Sequence, residues 1–179
     1  MMNKIDLSAV CQIQYGVFIV TSFFKDKLNG QISTVVFQVT IQPVQIVTCL
    51  SKKNLTHQFV MESKAFGVSI LSEEADLKFI GKFGFRTGRD FDKFTNTNYK
   101  KSAAGIPLIL DHASGILDLK VNQTIDLGTH TIFVGELLSA EKVSDNKPMT
   151  YDYYHNVVKG KTHQNAPTFQ ANTNQQFSA

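Results

Sequence analysis

Hydrophobic residues gather in short runs along this chain, each closed off by polar or turn-forming residues, which is the spacing of strands rather than long helices. GVFIVTSFF, Gly16 to Phe24, is rich in Val, Ile, Phe and Thr and reads as a strand. ISTVVFQVT, Ile32 to Thr40, reads as a second. The polar segment Lys25 to Gly30 between them reads as a hairpin turn, with Asn29-Gly30 as its strongest signal. A third strand is expected over Val44 to Leu50, after Pro43. Over Asn54 to Ser63 the period changes, and Leu55, Phe59 and Val60 fall on one side of a helix. Ala65 to Leu71 returns to strand, and Ala75 to Phe83 reads as a helix through Leu77, Ile80 and Gly81. His112 to Asn122 and Thr129 to Ala140 read as two further strands joined at Asp126-Leu127-Gly128. Near the start, Asp6 to Ile13 is expected as a short helix with Leu7, Val10 and Cys11 on one face. Residues 84 to 105 form a long polar loop carrying both arginines, Arg86 and Arg89, and long ordered loops in small domains often carry function. Tyr151 to Lys161 closes the chain ahead of a Gln/Asn-rich tail from Gln170 that is expected to fray.

Many strands, few helices and short gaps predict a mainly β fold with a few helices, its sheet mostly antiparallel. A closed barrel is one way to protect the edges of such a sheet. At 179 residues the chain is long enough for one domain with a real core, placed at 1–169 with 170–179 as a flexible tail. A hydrophobic share of 42%, including 14 Phe, excludes a disordered chain. The net charge of +3 is mild and no Lys/Arg run exceeds two residues, which argues against nucleic acid as partner. No apolar stretch approaches the ~18 residues of a membrane span. Residues 1–14 lack the basic start and long apolar stretch of a secretory signal. The expectation is a cytoplasmic protein with no membrane association. Cys11 and Cys49 stand far apart with no CxxC, so a zinc or dithiol centre is not expected and both read as buried apolar thiols.

Four stretches bear on chemistry. In GQISTVV, Gly30 to Val36, an amide and two hydroxyls (Gln31, Ser33, Thr34) open a strand bound for a core. Such groups are costly to bury unpaired, so protein backbone, water or a ligand should hydrogen-bond them. In LSKKNLTHQ, Leu50 to Gln58, a strand ends and Ser51, Lys52, Lys53 and Asn54 lead into a helix. Free N–H groups, the helix dipole and lysines there make a phosphate cradle; the plainer account is helix capping by Ser51 or Asn54 with solvated lysines. In DLGTHTIFVGE, Asp126 to Glu136, His130 opens an apolar strand, either beside a bound ring or as a turn histidine bonded locally. In KFGFRTGRDFDKF, Lys82 to Phe94, aromatics and two arginines suit a flat anionic ligand through stacking and bidentate contacts, or else a surface loop pinned by its Phe side chains. The five histidines, at 57, 112, 130, 155 and 163, are scattered, and neither G-x-S-x-G nor HExxH occurs. No G-x-G-x-x-G follows a strand. Hydrolase, metalloenzyme and Rossmann readings fall away, and no metal site is expected.

Taken in order, YGVFIVTS, GQISTVVFQVT, PVQIVTCLSKKNLTHQ, FGVSIL, FIGKFGFRTGRDFDKF, GIPLI, GTHTIFVGE and YYHNVVKGK resemble the FMN-binding split-barrel flavin reductases, nearest to the ferric reductase and flavoredoxin branch. The resemblance covers roughly Gln14 to Phe169. It implies a Greek-key split barrel of six strands that dimerises, with one FMN per subunit near the interface. It implies a reaction as well: NADH or NADPH passes a hydride to the flavin, and electrons go on to free flavin, a ferric chelate, oxygen or a redox protein. By resemblance Gln31, Ile32, Ser33 and Thr34 lie along the flavin ring, with Val35, Cys49 and Leu50 also at the cofactor. Relatives carry Asn in the neighbourhood where this chain has Ser33-Thr34. Ser51, Lys52, Asn54 and Thr56 match the phosphate and ribityl segment, and Phe85 and Arg86 a loop that meets FMN or the adenosine part of NADPH. His130 matches the position that helps place the nicotinamide, which makes it the candidate catalytic residue. Hydride transfer needs little acid–base machinery from the protein, because the cofactor carries the reaction. The alternatives are a flavodoxin-like electron carrier with a protein partner, the reductase component of a flavin-dependent monooxygenase, and a non-redox FMN- or haem-binding barrel.

Overall fold

The structure, a computed structural model, describes Asp6 and residues 8–169. Leu7 and the expected tail 170–179 lie outside the described residues. After a short 3-10 turn at Val10–Gln12 come β1 (Phe18–Phe24), β2 (Lys27–Ser33), β3 (Val36–Ile41), β4 (Val44–Ser51), α1 (Leu55–Ser63), β5 (Ala65–Leu71) and α2 (Leu77–Gly84). Then follow β6 (Tyr99–Lys101), β7 (Pro107–Ile109), β8 (Ala113–Asp126), β9 (His130–Lys142) and α3 (Tyr151–Asn156). Seven strands form one antiparallel sheet in the order β2-β1-β5-β8-β9-β4-β3, and β6 pairs with β7 separately.

The connectivity forces that sheet to curl. β2 and β3 stand at opposite edges, yet only Thr34 and Val35 separate them in the chain. A flat sheet of this width, at ~4.8 Å per strand, would hold its edges roughly 29 Å apart. Three Cα steps reach at most ~11 Å. The sheet therefore closes on itself until its edges approach, while no strand ladder joins them among the described residues: a barrel with a seam. Its interior is filled by Val20, Leu50, Val60, Phe66, Val68, Leu119 and Phe133. A second cluster of Ile19, Leu71, Ile80, Phe83, Met149 and Tyr154 fixes α2 and α3 against the barrel's outer side.

Several expectations change in physical detail. The single run Ile32 to Thr40 divides at Thr34-Val35, and the main sheet has seven strands where the resemblance implies six. The hairpin turn is not at Asn29-Gly30. Phe24 pairs with Lys27, so the turn is the two residues Lys25-Asp26, with Lys25 at φ 53°. Asn29-Gly30 lies mid-strand, where a Cβ on residue 30 would stand 3.0 Å from Thr21 and 3.3 Å from the Phe83 ring. Glycine is there for close packing rather than for a turn. Cys49 is buried as expected, but Cys11 is exposed, because a turn of three residues has no face to bury. The loop 84–105 contains the short strand β6. Among the described residues no helix is long and apolar enough to cross a membrane.

Candidate functional site

Three segments distant in sequence meet beside the barrel seam and enclose a cleft of about 280 Å³. One wall is β2, through Asn29, Gln31, Ile32 and Ser33, with Thr34 following it. The opposite wall is the passage from β4 into α1, through Cys49, Lys53, Asn54, Leu55 and Thr56. The third comes from the end of α2 and the loop after it, Phe83 to Arg89, together with Lys93. Tyr151 and Tyr154 of α3 and the segment 161–167 complete the surround.

Hydrogen bonds tie these walls together. Asn29 Nδ2 donates to Thr56 Oγ1 at 2.9 Å, joining β2 to α1. Thr34 Oγ1 meets Thr168 Oγ1 at 3.1 Å, and Asn165 Nδ2 donates to Asn54 Oδ1 at 3.1 Å. The Asn54 side chain makes no capping bond to α1, so its oxygen serves the cleft rather than the helix start. Ser51 Oγ accepts from Lys53 N at 3.4 Å and steadies the turn. Ser33 lies buried 3.5 Å from Thr48 Oγ1. The hydroxyls that open the seam thus have protein partners, whereas the Gln31 Oε1 and Asn29 Oδ1 acceptors are buried without one. A ligand carrying N–H or O–H donors would satisfy them.

Charge is one-sided. The lining includes Lys53, Arg86, Arg89, Lys93 and Lys161 and no aspartate or glutamate. Lys93 differs from the others in being buried, at 4% exposure. Its Nζ donates to Gly30 O at 2.8 Å and Phe83 O at 3.2 Å. Burial pushes its pKa down to about 8. His163 is held below the usual histidine range by burial and then by the Lys93 charge. Burial pushes the Cys49 thiol up, so it is a packing group rather than a thiolate.

Not every sequence-predicted residue reaches the cleft. Gln31, Ile32, Ser33, Thr34, Cys49, Asn54, Thr56, Phe85 and Arg86 line it. Val35, Leu50, Ser51, Lys52 and His130 are not in its lining. Leu50 is fully buried in the barrel core, and Lys52 forms an ion pair of 2.6 Å with Asp126 on the surface. His130 Nε2 lies 3.2 Å from Asn165 O and Nδ1 lies 2.9 Å from Thr129 Oγ1. A carbonyl only accepts, so Nε2 carries a proton, and His130 reaches the cleft through the Asn165 backbone. Lys53, one of the two lysines of the expected phosphate cradle, does line the cleft, whereas Asn29, Lys93, His163 and Asn165 were not foreseen as site residues. Lys93 stands within the stretch KFGFRTGRDFDKF, where the aromatics and the two arginines are the stronger signal. Among the described residues no three His, Cys, Asp or Glu side chains cluster as for a metal.

Residues 10–160 match the family described as the flavin reductase like domain. A ferric-chelate reductase (NAD(P)H) of Archaeoglobus fulgidus is 46% identical over 92% of this chain and 97% of its own. A high molecular weight rubredoxin of Moorella thermoacetica is 43% identical over 92% of this chain and 72% of its own. The solved NADH:FAD oxidoreductase of Streptomyces globisporus superposes with a TM-score of 0.71 at 24% identity, covering 83% of this chain and 89% of that one.

Proposed function

The chain belongs to the flavin reductase like domain family, and on that premise we propose that it is an FMN-dependent NAD(P)H oxidoreductase. One observation carries the reading: a cleft lined by five Lys and Arg side chains and no carboxylate. Such a lining selects polyanions, and both a flavin mononucleotide and a pyridine dinucleotide are polyanions. The buried, unpartnered acceptors Gln31 Oε1 and Asn29 Oδ1 fit a ligand that also brings N–H and O–H donors, as the isoalloxazine and ribityl parts of FMN do.

We assign Gln31, Ile32, Ser33 and Thr34 to the flavin ring. Asn54 and Thr56 go to the phosphate and ribityl end, with Lys53 added because it lines the wall there. Ser51 and Lys52 support the same turn, Val35, Cys49 and Leu50 back it, and Phe85 and Arg86 form the outer rim. Bound FMN would supply the hydride-accepting chemistry. The chain's own work is to grip the anionic ends, hold the ring against β2 and shed water from the apolar floor of Ile32, Ile80 and Phe83. His130, braced by Thr129 and the Asn165 carbonyl, is assigned to placing the nicotinamide. The electron acceptor is a ferric chelate, as the name of the Archaeoglobus relative suggests, or a free flavin. The likeness to a protein named rubredoxin favours a second reading, in which a redox protein takes the electrons.

The same reading makes the protein a homodimer and places it in the cytoplasm, where its donor is kept reduced. Edge strand β3 supports the first point: Phe37, Val39 and Ile41 are 55%, 45% and 81% exposed along it. An edge this apolar is normally covered. Anaerobic titration of the FMN-loaded protein with NADPH and then NADH, followed by flavin absorbance, tests the function. Bleaching within seconds by either donor is expected. A bound flavin that neither donor bleaches would overturn the reductase reading in favour of an electron carrier.

A further inference from the structure

Lys93 and Asp118 are the buried side chains with a formal charge among the described residues, and no ion pair joins Lys93 to any carboxylate there. An ammonium taken out of water without an anion is costly, and such a group persists where something else is gained by it. An ammonium has three N–H donors. Two of them are accounted for by the Gly30 and Phe83 carbonyls. Those carbonyls lie on two different walls, each one residue ahead of a lining residue, Gln31 and Gly84. Lys93 itself also lines the cleft. The arrangement is a cation fixed at the junction of β2 and α2, with donor capacity in reserve and no counter-ion.

The exposed cations Lys53, Arg86, Arg89 and Lys161 act through water, which screens them. The Lys93 charge acts through protein, where the same charge does several times more electrostatic work. His163, which also lines the cleft, is lowered first by burial and then by that charge. A hydride carries two electrons and one proton. Its transfer turns NAD(P)H into NAD(P)+, and the acceptor gains one unit of negative charge. A buried cation at the acceptor's wall favours that gain.

We propose that Lys93 sets the reduction potential of the flavin held in this cleft, its buried, carboxylate-free ammonium stabilising the charge that reduction adds. The inference rests on the reading that the cleft holds FMN. Lys93 is a tuning residue in this scheme, and its two carbonyl contacts hold it in place.

The test is the midpoint potential of bound FMN, measured against a reference dye at pH 7, in the wild-type protein and in Lys93→Met. Lys93→Gln keeps an N–H donor for the carbonyls and serves where the Met variant does not fold. Dissociation constants for FMN and riboflavin are measured alongside. The neutral variants are expected to retain FMN and to shift the oxidised-to-reduced ratio at fixed potential at least tenfold toward oxidised, a fall of about 30 mV for a two-electron couple. Lys93→Arg should recover most of the shift. An unchanged potential in a flavin-loaded neutral variant overturns the proposal and leaves Lys93 a structural cross-link. Loss of FMN binding with riboflavin binding unchanged also overturns it, making Lys93 a phosphate ligand. A wild-type protein that binds neither FMN nor riboflavin defeats the underlying reading of the cleft instead.

Discussion

Lys93 leaves a second signature, in the ligand-free protein. Its pKa falls from 10.5 in the unfolded chain to about 8 in the fold. Between those values the unfolded chain binds more protons than the native one, so the free energy of unfolding climbs with pH across that window, while below it the cost of the buried charge is fully present and independent of pH. The urea midpoint of the wild-type protein should therefore gain on that of Lys93→Met as pH rises from 8 to 10. Taking the difference between the two removes the other groups that titrate there. Parallel pH curves would mean that the Lys93 charge costs the fold nothing. At this scale the sequence was readable where residue type already implies a task. Gln31, Ser33 and Thr34 raised the question of their partners, and the structure answers it with Thr48 and Thr168 for the hydroxyls while leaving the Gln31 oxygen open. Lys93 gave no such signal. A lysine in a polar stretch reads as solvated, and only the packing of α2 against β2 buries it. His163 and Asn165 were equally silent, because the segment bearing them has no periodicity and acquires its place by crossing the cleft.

Among the elements, the helices and strands with strong periods were legible nearly to their ends. α1, β4 and β5 stand within a residue or two of the expected limits. The errors came from signals with two meanings. Asn-Gly is the usual mark of a tight hairpin, yet here the glycine admits the Phe83 ring and the asparagine reaches Thr56. The break at Thr34-Val35 lies inside a run of continuous β propensity, so only the need to cross from one edge of the sheet to the other reveals it. Asn54 looked like a cap and instead meets Asn165. Side-chain caps stand at α2, where Asp76 Oδ1 accepts from Phe79 N at 2.7 Å, and at α3, where Thr150 Oγ1 accepts from Tyr153 N at 3.1 Å. Asp76→Ala should lower stability by about 1 kcal/mol. Since α2 ends at Gly84 in the cleft wall, it should also weaken FMN binding several-fold. Chemical denaturation and a flavin titration check both, and a full effect on binding with none on stability would contradict this account.

For the molecule as a whole, the exposed apolar edge is the feature that a lone chain does not explain. Ile41 makes the sharpest probe, because at 81% exposure its replacement removes little from the fold of one chain. Ile41→Lys should raise the dissociation constant of the proposed dimer at least tenfold while leaving the unfolding free energy of the monomer within ~0.5 kcal/mol. Light scattering after size exclusion reads the first and urea unfolding at low concentration the second. A monomeric wild-type protein would remove the homodimer from the proposal. Strand count and short gaps pointed to an antiparallel sheet with a barrel as one way to close it, and the split barrel itself was implied by the family resemblance. The order of its strands was not, since pairing partners are set by long-range closure rather than local pattern.

The cleft's third side has a temporal consequence. The last strand of the sheet ends at Lys142, but Tyr151, Tyr154 and the segment 161–167 that complete the surround come later in the chain. During synthesis, N-terminal parts fold first, so a nascent barrel can close before the residues that finish its binding site have left the ribosome. Completion of the cleft thereby waits for segment 161–167, and a chain interrupted before it is left with a shell and an open trough rather than a finished binding site.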